Sequence, residues 1–524
     1  MKKILVKVIS SGIWLQPILM IGMVKYLELN QPRLLMDKMN WFVMFMVSIL
    51  PILYLSAENT GRPNSKEAIT GKEAAKRPQV DKSLLYRKPE GIVFGKYKGL
   101  YVCRNLSLDG HVFLIGGSGS GKSSCLVIPS LLANPKANIF AVDIKGELSF
   151  KSTKYGGKHV LIFNPQDRNT CGYNAFYALS ENSTSQQILE VMQNIAFSLI
   201  SLPANVKDPF WKTSTRNLLI GLLIYYYKQG TVDFIGIIDE ILGRPVKESI
   251  DAVMNNAKPK SVEYRYIVQF KDMEDETLGG IAAEMNNHIV IFANDQDIRY
   301  AFKDNGRKVN PTMLEKGSIY LSIREEKLTS YYDVMQLIIN QTLAQLEKRP
   351  EDSKKQIIFV IDELPRILSA GKIDRLLDGA RTLRSKKVCL FFITQSTEAL
   401  MSAFTENEVA DLISNCPYIV VLSASSTKTQ KSVCSWCGKY KARKQSWSGS
   451  GKDRNVSVSY EEKDIVEPSD LLTLPNTGEA ILISPYGYSR IKKVPYYEDK
   501  ILKPMADEII AYNKNIKQIE RSSL

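Results

Sequence analysis

Residues 116–124 read GGSGSGKSS, directly after the apolar run HVFLI at 111–115 and directly before the apolar stretch CLVIPSLLA at 125–133. Gly116, Gly121, Lys122 and Ser123 fall on the pattern G-x-x-x-x-G-K-[ST], in the strand-before, helix-after setting that the pattern requires. Glycines let successive backbone N–H groups turn inward around phosphate oxygens, and the start of the following helix adds the positive end of its dipole. The stretch therefore predicts a nucleotide-binding loop made of Gly116, Gly117, Ser118, Gly119, Ser120, Gly121, Lys122, Ser123 and Ser124. Lys122 is expected to reach the β- and γ-phosphates of ATP, and the Ser123 hydroxyl to bind Mg2+.

Working outward from this loop, the same kind of strand recurs. NIFAVD (138–143), HVLIFN (159–164), SIYLSI (318–323), IIFVID (357–362) and VCLFFIT (388–394) are short, nearly continuous apolar runs. Such runs suit strands buried on both faces of a largely parallel sheet. Helix-like patterns at 122–133 and 331–347 fall between them, which gives the alternation of a doubly wound α/β domain. The interval 180–308 differs. It reads as mostly helical, most clearly at 188–200, 213–227 and 246–255, and predicts an all-α domain inserted between two strands of the sheet. The Ser/Gly-rich residues 446–459 read as an exposed loop or hairpin tip.

Hydrolysis of a nucleotide needs acids beside the loop. The run IIFVI ends in Asp362 and Glu363, a Walker B pattern in which Asp362 holds the metal and Glu363 acts as general base on water. The strand VCLFFIT is followed by Gln395, whose amide both donates and accepts and so suits a sensor of the γ-phosphate; a loop or capping residue is the ordinary alternative. RTLRSKK (381–387) offers an arginine for a neighbouring subunit's nucleotide, or simply a solvated basic cluster at a helix end. Asp143, Lys145, Gly146 and Glu147 sit just after a strand, where ligands of open α/β sheets collect, or form a charged turn. Lys428, Lys431, Lys439, Lys441, Arg443 and Lys444, near Trp436 and Trp447, read as a solvated face or a nucleic-acid contact.

Length and composition set the frame. A chain of 524 residues with 44% hydrophobic and 24% charged residues is folded rather than disordered and too long for one ordinary core. Its formal charge of +14 favours polyanionic partners, nucleic acid or acidic lipid, without specifying one. Seven scattered cysteines form no disulfide framework and suit a reducing cytoplasm. Cys434 and Cys437 have C-x-x-C spacing, but with three histidines in the whole chain a zinc site lacks partners, and buried thiols are expected.

Residues 8–24 and 39–57 are apolar and carry no charge, and with the first extended to Ile4, Lys7 snorkelling to the interface, about 4–24 and 39–57 are predicted to span a membrane. A signal peptide is the rival reading of the first, but Lys25 and Tyr26 stand where small residues would mark cleavage. Arg62, Lys66, Lys72, Lys76 and Arg77 follow the second segment and place the large C-terminal part in the cytoplasm. Residues 58–90, rich in Lys, Glu, Pro and Gly, read as a juxtamembrane linker.

The two N-terminal segments, GIVFGKYKGLYV (91–102), GGSGSGKSS, DIKGEL (143–148), FNP (163–165) with YNAF (173–176), DPFWKTSTRNLL (208–219), VIDELPRI (360–367) and FFITQS (391–396) together resemble the TraG-like coupling proteins of type IV secretion and conjugation systems. The resemblance covers nearly the whole chain. It implies a RecA-like motor domain, 91–179 with 309–524, carrying an all-α insertion at 180–308 and a two-helix membrane anchor at 1–57. It also implies assembly as a homo-hexamer in the cell (inner or plasma) membrane. Lys122 corresponds to the family's Walker lysine, Asp362 to its Mg2+-linked aspartate, Glu363 to its catalytic glutamate and Gln395 to its sensor. Arg384 corresponds to an arginine finger, although Ser385, Lys386 and Lys387 replace the glycine usual after it. The implied partners are DNA, single-stranded and read without sequence preference, the relaxase and its relaxosome, and the type IV secretion channel. Two other functions compete: a different DNA translocase of the same motor superfamily, and a receptor that mainly docks protein substrates.

Overall fold

The structure, a computed structural model, describes Lys25 and residues 80–522 apart from 106–108, 156–158, 169, 203–207, 232, 304–307, 374 and 449–454. The expected spans at 4–24 and 39–57 lie outside the described residues. No helix among the described residues is long and apolar enough to cross a membrane.

The strands, in chain order, are β1 (Leu85–Tyr86), β2 (Ile92–Tyr97), β3 (Leu100–Arg104), β4 (Val112–Ile115), β5 (Asn138–Val142), β6 (Val160–Phe163), β7 (Gly172–Tyr173), β8 (Lys308–Val309), β9 (Ser318–Leu321), β10 (Ile357–Ile361), β11 (Val388–Thr394), β12 (Tyr418–Val421), β13 (Lys439–Ser448), β14 (Asn455–Asp464), β15 (Glu479–Ser484) and β16 (Gly487–Lys492). Twelve of them form one sheet in the order β1-β3-β2-β16-β15-β12-β4-β11-β10-β5-β9-β6. From β12 to β6 every neighbouring pair is parallel. Beyond β12, the strands β15, β16, β2, β3 and β1 continue the sheet antiparallel.

The six apolar runs read from the sequence are all strands of the parallel part. Every residue of β4, β5, β9, β10 and β11 is buried, whereas β6, at the edge, is mostly half-buried. Alternation sorts their side chains between two cores. Phe113, Ile115, Phe140, Val142, Phe359 and Phe392 face one side, where Phe140 stacks on Phe359 at 4.5 Å across β5 and β10. Leu114, Ile139, Ala141, Val360 and Phe391 face the other, with Leu126, Leu131 and the C-terminal Leu502 and Ala506.

The predicted all-α interval is helical from Ser185–Leu199 to Gln296–Phe302, and includes Phe210–Lys228, Phe234–Leu242, Val246–Asn256, Val262–Ile267 and Asp275–Asn294. Local chemistry starts these helices: Thr184 and Gln187 form a capping box, and Asp233, Ser261 and Asp295 accept from first-turn N–H groups. The interval shares a core with one face of the sheet. Phe302 meets Phe163 of β6 at 6.0 Å, and Phe234 and Phe292 pack tilted and edge-on against Phe302 and edge-on against each other. At its base β7 and β8 pair in parallel.

Two boundaries differ from expectation. Residues read as the end of a linker belong to the folded body: Val80 and Leu84 are buried, Lys82–Leu84 forms a turn of 3-10 helix under the Asp81 side chain, and β1 pairs with β3. Their few apolar residues carry too little periodicity to announce a two-residue strand. The expected hairpin tip lies between β13 and β14, which form a two-stranded sheet of their own. Residues 439–463 fall outside the compact unit made of 77–438 and 464–524.

Candidate nucleotide site

The loop 116–124 leaves β4 at the carboxyl edge of the parallel strands, and its neighbours fix its path. The Gly116 N–H donates to the Thr394 carbonyl at the end of β11 (3.0 Å), and the Gly117 N–H donates to Ser423 Oγ just past β12 (2.8 Å). Ser120 Oγ returns a bond to the Gly117 carbonyl at 2.8 Å. Gly119 and Gly121 hold φ of 74° and 92°, the left-handed region that glycine enters freely. A Cβ at Gly121 would stand 2.8 Å from Cys125 Sγ, so this position tolerates nothing larger. The helix that follows opens with π-type turns at Ser123–Val127 and continues as α at Ile128–Leu132. Such widened turns recur at functional sites.

Lys122 is buried, and burial pushes its pKa down, opposed by the charges of Glu363 and then Asp362. Its Nζ donates to the carbonyls of Gly116 (3.0 Å) and Gly117 (3.2 Å), so the ammonium is folded back on its own loop.

The acids arrive on the other side of β11. The sheet order β4-β11-β10-β5 sets the loop and the end of β10 on either flank of β11. Ile361 pairs with Val142, so Asp362 and Asp143 extend adjacent strands at one level. Asp143 is fully buried; burial pushes its pKa up while the N–H groups of Ser149 (2.8 Å) and Leu148 (3.2 Å) oppose that. Asp362 is 5% exposed, and burial, followed by the charges of Asp143 and Glu363, pushes its pKa up to about 7.

Glu363 sits at φ 55°, ψ 57° and begins the short helix Leu364–Ile367. Its carboxylate lies 3.8 Å from Lys145 Nζ and 2.8 Å from Arg366 Nε. The second contact is an ion pair by distance, with no N–H aligned on the Oε2 lone pair.

Three carboxylates crowded beside a phosphate-type loop are what a divalent cation and a polyphosphate would relieve. A Ser123 hydroxyl and one Asp362 carboxylate are the donor set that Mg2+ accepts, because it completes its shell with water and phosphate oxygens. Cys434 and Cys437 are buried, and burial raises their thiols to about 11 and about 12.

Gln395 is exposed immediately after β11, and it lines an open cleft of about 470 Å³ with Arg366, Glu325 and Thr329. Arg384 is not brought to this site. It is exposed before β11 begins, and seven strand residues at ~3.3 Å each put it roughly 20 Å away at the opposite edge. Sequence reasoning singled out the segment of Asp143 and Lys145 without choosing a role, and missed Ser423 and Arg366. Nothing local marks a lone serine past a strand, and Arg366 reaches Glu363 only because of that residue's left-handed backbone.

A family model described as type IV secretory system conjugative DNA transfer matches residues 61–520. The Agrobacterium fabrum protein VirD4 is 23% identical over 432 residues, 80% of this chain and 64% of that one. The Bartonella quintana type IV secretion system-coupling protein VirD4 is 21% identical over 396 residues, 71% of this chain and 60% of that one. The chain thus spans a little under two thirds of these relatives' length. Among solved structures, the unbound bacterial conjugative coupling protein TrwBdeltaN70 superimposes with a TM-score of 0.62 at 17% identity, covering 81% of this chain and 91% of that chain. The plasmid coupling protein TrwB in complex with ADP and Mg2+ gives 0.61 at 16% identity, covering 82% and 93%. The solved structures share the α/β core with its helical insertion. With the loop 116–124 and the ends of β10 and β11 at one sheet edge, and a family match running over residues 61–520, this protein belongs to the type IV secretory system conjugative DNA transfer family.

Proposed function

We propose that the chain is a membrane-anchored, ATP-hydrolysing coupling protein that recruits DNA, with an attached relaxase or other protein, and pumps it into a type IV secretion channel. The observation that carries this reading is the convergence of Lys122, Asp362 and Glu363 at one sheet edge in a chain of this family. ATP is the nucleotide and Mg2+ its metal. Backbone N–H groups of 116–124 receive the phosphates, and Lys122 exchanges its two loop carbonyls for the β- and γ-phosphates. Ser123 and Asp362 hold the metal, which neutralises phosphate charge when bound. Glu363 accepts the proton of the attacking water, and Gln395 reports the γ-phosphate from the end of β11.

Residues 1–57 serve as the anchor in the cell membrane and 58–79 as the link to the cytoplasmic body. Residues 180–308 act as the substrate-facing helical domain of a motor formed by 91–179 and 309–524. Six copies form a ring, and Arg384, remote from its own chain's site, serves the neighbour's nucleotide. The DNA is single-stranded and bound without sequence preference.

The test is ATP hydrolysis by the full-length chain in detergent, with and without single-stranded DNA, beside Glu363→Gln. DNA-stimulated turnover in the parent and nearly none in the variant is expected. Equal turnover in both rejects the site, and parent turnover indifferent to DNA transfers the substrate assignment to protein.

A further inference from the structure

A general base has to keep its orientation and still leave a lone pair free for water. Glu363 starts from a backbone that resists relaxing. Its left-handed conformation is one that non-glycine residues avoid, and Pro365 in the first turn after it fixes the chain that follows. This geometry turns the side chain back over the turn Leu364–Ile367. The Arg366 N–H donates to the Glu363 carbonyl at 2.9 Å, and Arg366 Nε stands 2.8 Å from Glu363 Oε2. On its other side the same guanidinium, through Nη1, meets the Glu325 carboxylate.

Arg366 is therefore a bridge, and its two ends differ. The Glu363 side chain is 12% exposed and the Glu325 side chain 52%, so one carboxylate lies inside the site and the other braces the arginine from outside. Glu363 Oε2 is buried and receives no aligned N–H, so charge and proximity hold it beside Arg366. Arg366, Glu325 and Gln395 also line the same cleft.

We propose that Arg366, braced by Glu325, is the positioning residue that aims the Glu363 carboxylate at water. This rests on the hydrolytic reading above. An ion pair that merely staples a one-turn helix would affect stability and leave turnover alone.

Steady-state ATP hydrolysis by the full-length chain separates the cases. Arg366→Ala is expected to lower kcat about tenfold or more while KM for ATP stays within about twofold, because the loop 116–124 is untouched. Arg366→Lys keeps one charge but cannot bridge two carboxylates, and should recover part of the loss. Glu325→Gln, which loosens the brace alone, should cost about threefold in kcat. Unchanged kcat in Arg366→Ala, or a loss confined to KM, overturns the proposal. Misfolding of Arg366→Ala would show in its melting temperature, and Glu325→Gln, exposed at the surface, then decides. A parent chain that turns over no ATP overturns the functional reading and this inference with it, whereas an active parent with an indifferent Arg366 overturns this inference alone.

Discussion

Lys122 Nζ donates to the carbonyl oxygen of Gly116, 3.0 Å away, so the group that would meet a phosphate lies against its own loop. Lys122→Ala removes little else. It is expected to leave the melting temperature within about 2 °C of the parent. Nucleotide binding should weaken at least about tenfold and hydrolysis fall about a hundredfold or more. Calorimetric titration with ATP and magnesium, beside a thermal melt without them, checks both halves. A variant that binds ATP like the parent would remove Lys122 from the site.

Asp362 gives the chain a pH dependence of definite sign. Its folded pKa is raised, from 3.8 to about 7, so the folded state binds more protons than the unfolded one between those values. Stability contributed by the protonated form is full below about pH 4 and is lost as the pH rises towards 7. Asp362→Asn should accordingly stabilise the nucleotide-free chain at pH 8, by on the order of 2 kcal/mol, and abolish hydrolysis. Below pH 7, binding of magnesium nucleotide should release a proton, read from heats in buffers of different ionisation enthalpy. No stabilisation at pH 8 would mean that the carboxylate is not strained by burial.

His111 works in the opposite direction at the other edge of the sheet. Its Nδ1 accepts from the Leu390 N–H at 3.0 Å, which leaves Nε2 to donate to the Ala380 carbonyl at 3.1 Å. Burial, then the charge of Arg104, lowers its pKa to about 4. The folded state excludes a proton that the unfolded state takes up, so stability from this group is lost as pH falls from about 6.5 towards 4. His111→Ala strands a buried N–H and a buried carbonyl, and should cost about 2–4 kcal/mol with a flatter profile between pH 4 and 6.5. Urea melts across that range measure it.

Arg384 is assigned to a neighbouring subunit, which a mixing experiment can read. Arg384→Ala and Glu363→Gln should each be nearly inactive. Mixed in equal amounts, about a quarter of the interfaces pair an intact base with an intact arginine, and activity should return to about that fraction of the parent. An Arg384→Ala protein with parental activity would sink the assignment.

The parallel half of the sheet was legible because its strands are buried on both faces, and IIFVI or VCLFFIT can be little else. The antiparallel half was not. β2, β3 and β16 carry Lys96, Arg104, Arg490 and Lys492 among their apolar residues, and although β2 and β3 pair as neighbours, β2 meets β16 across hundreds of positions, which no local pattern reports. The same division runs through the site. Gly116 to Ser124, Asp362 and Gln395 could be named because strand ends carry them, whereas the grip of Ser423 on Gly117 comes from tertiary geometry and the reach of Arg366 to Glu363 from a backbone conformation that no residue pattern announces.

That long-range pairing also governs how the molecule is made. Tyr101 hydroxyl donates to Asp499 at 2.7 Å and β2 abuts β16, so early strands wait for the last part of the chain. At the usual ~5–20 residues per second, translation leaves them waiting on the order of tens of seconds, with the β16 side of β2 bare meanwhile. Soluble yield should therefore follow the supply of nascent-chain chaperones more closely than the stability of the finished fold.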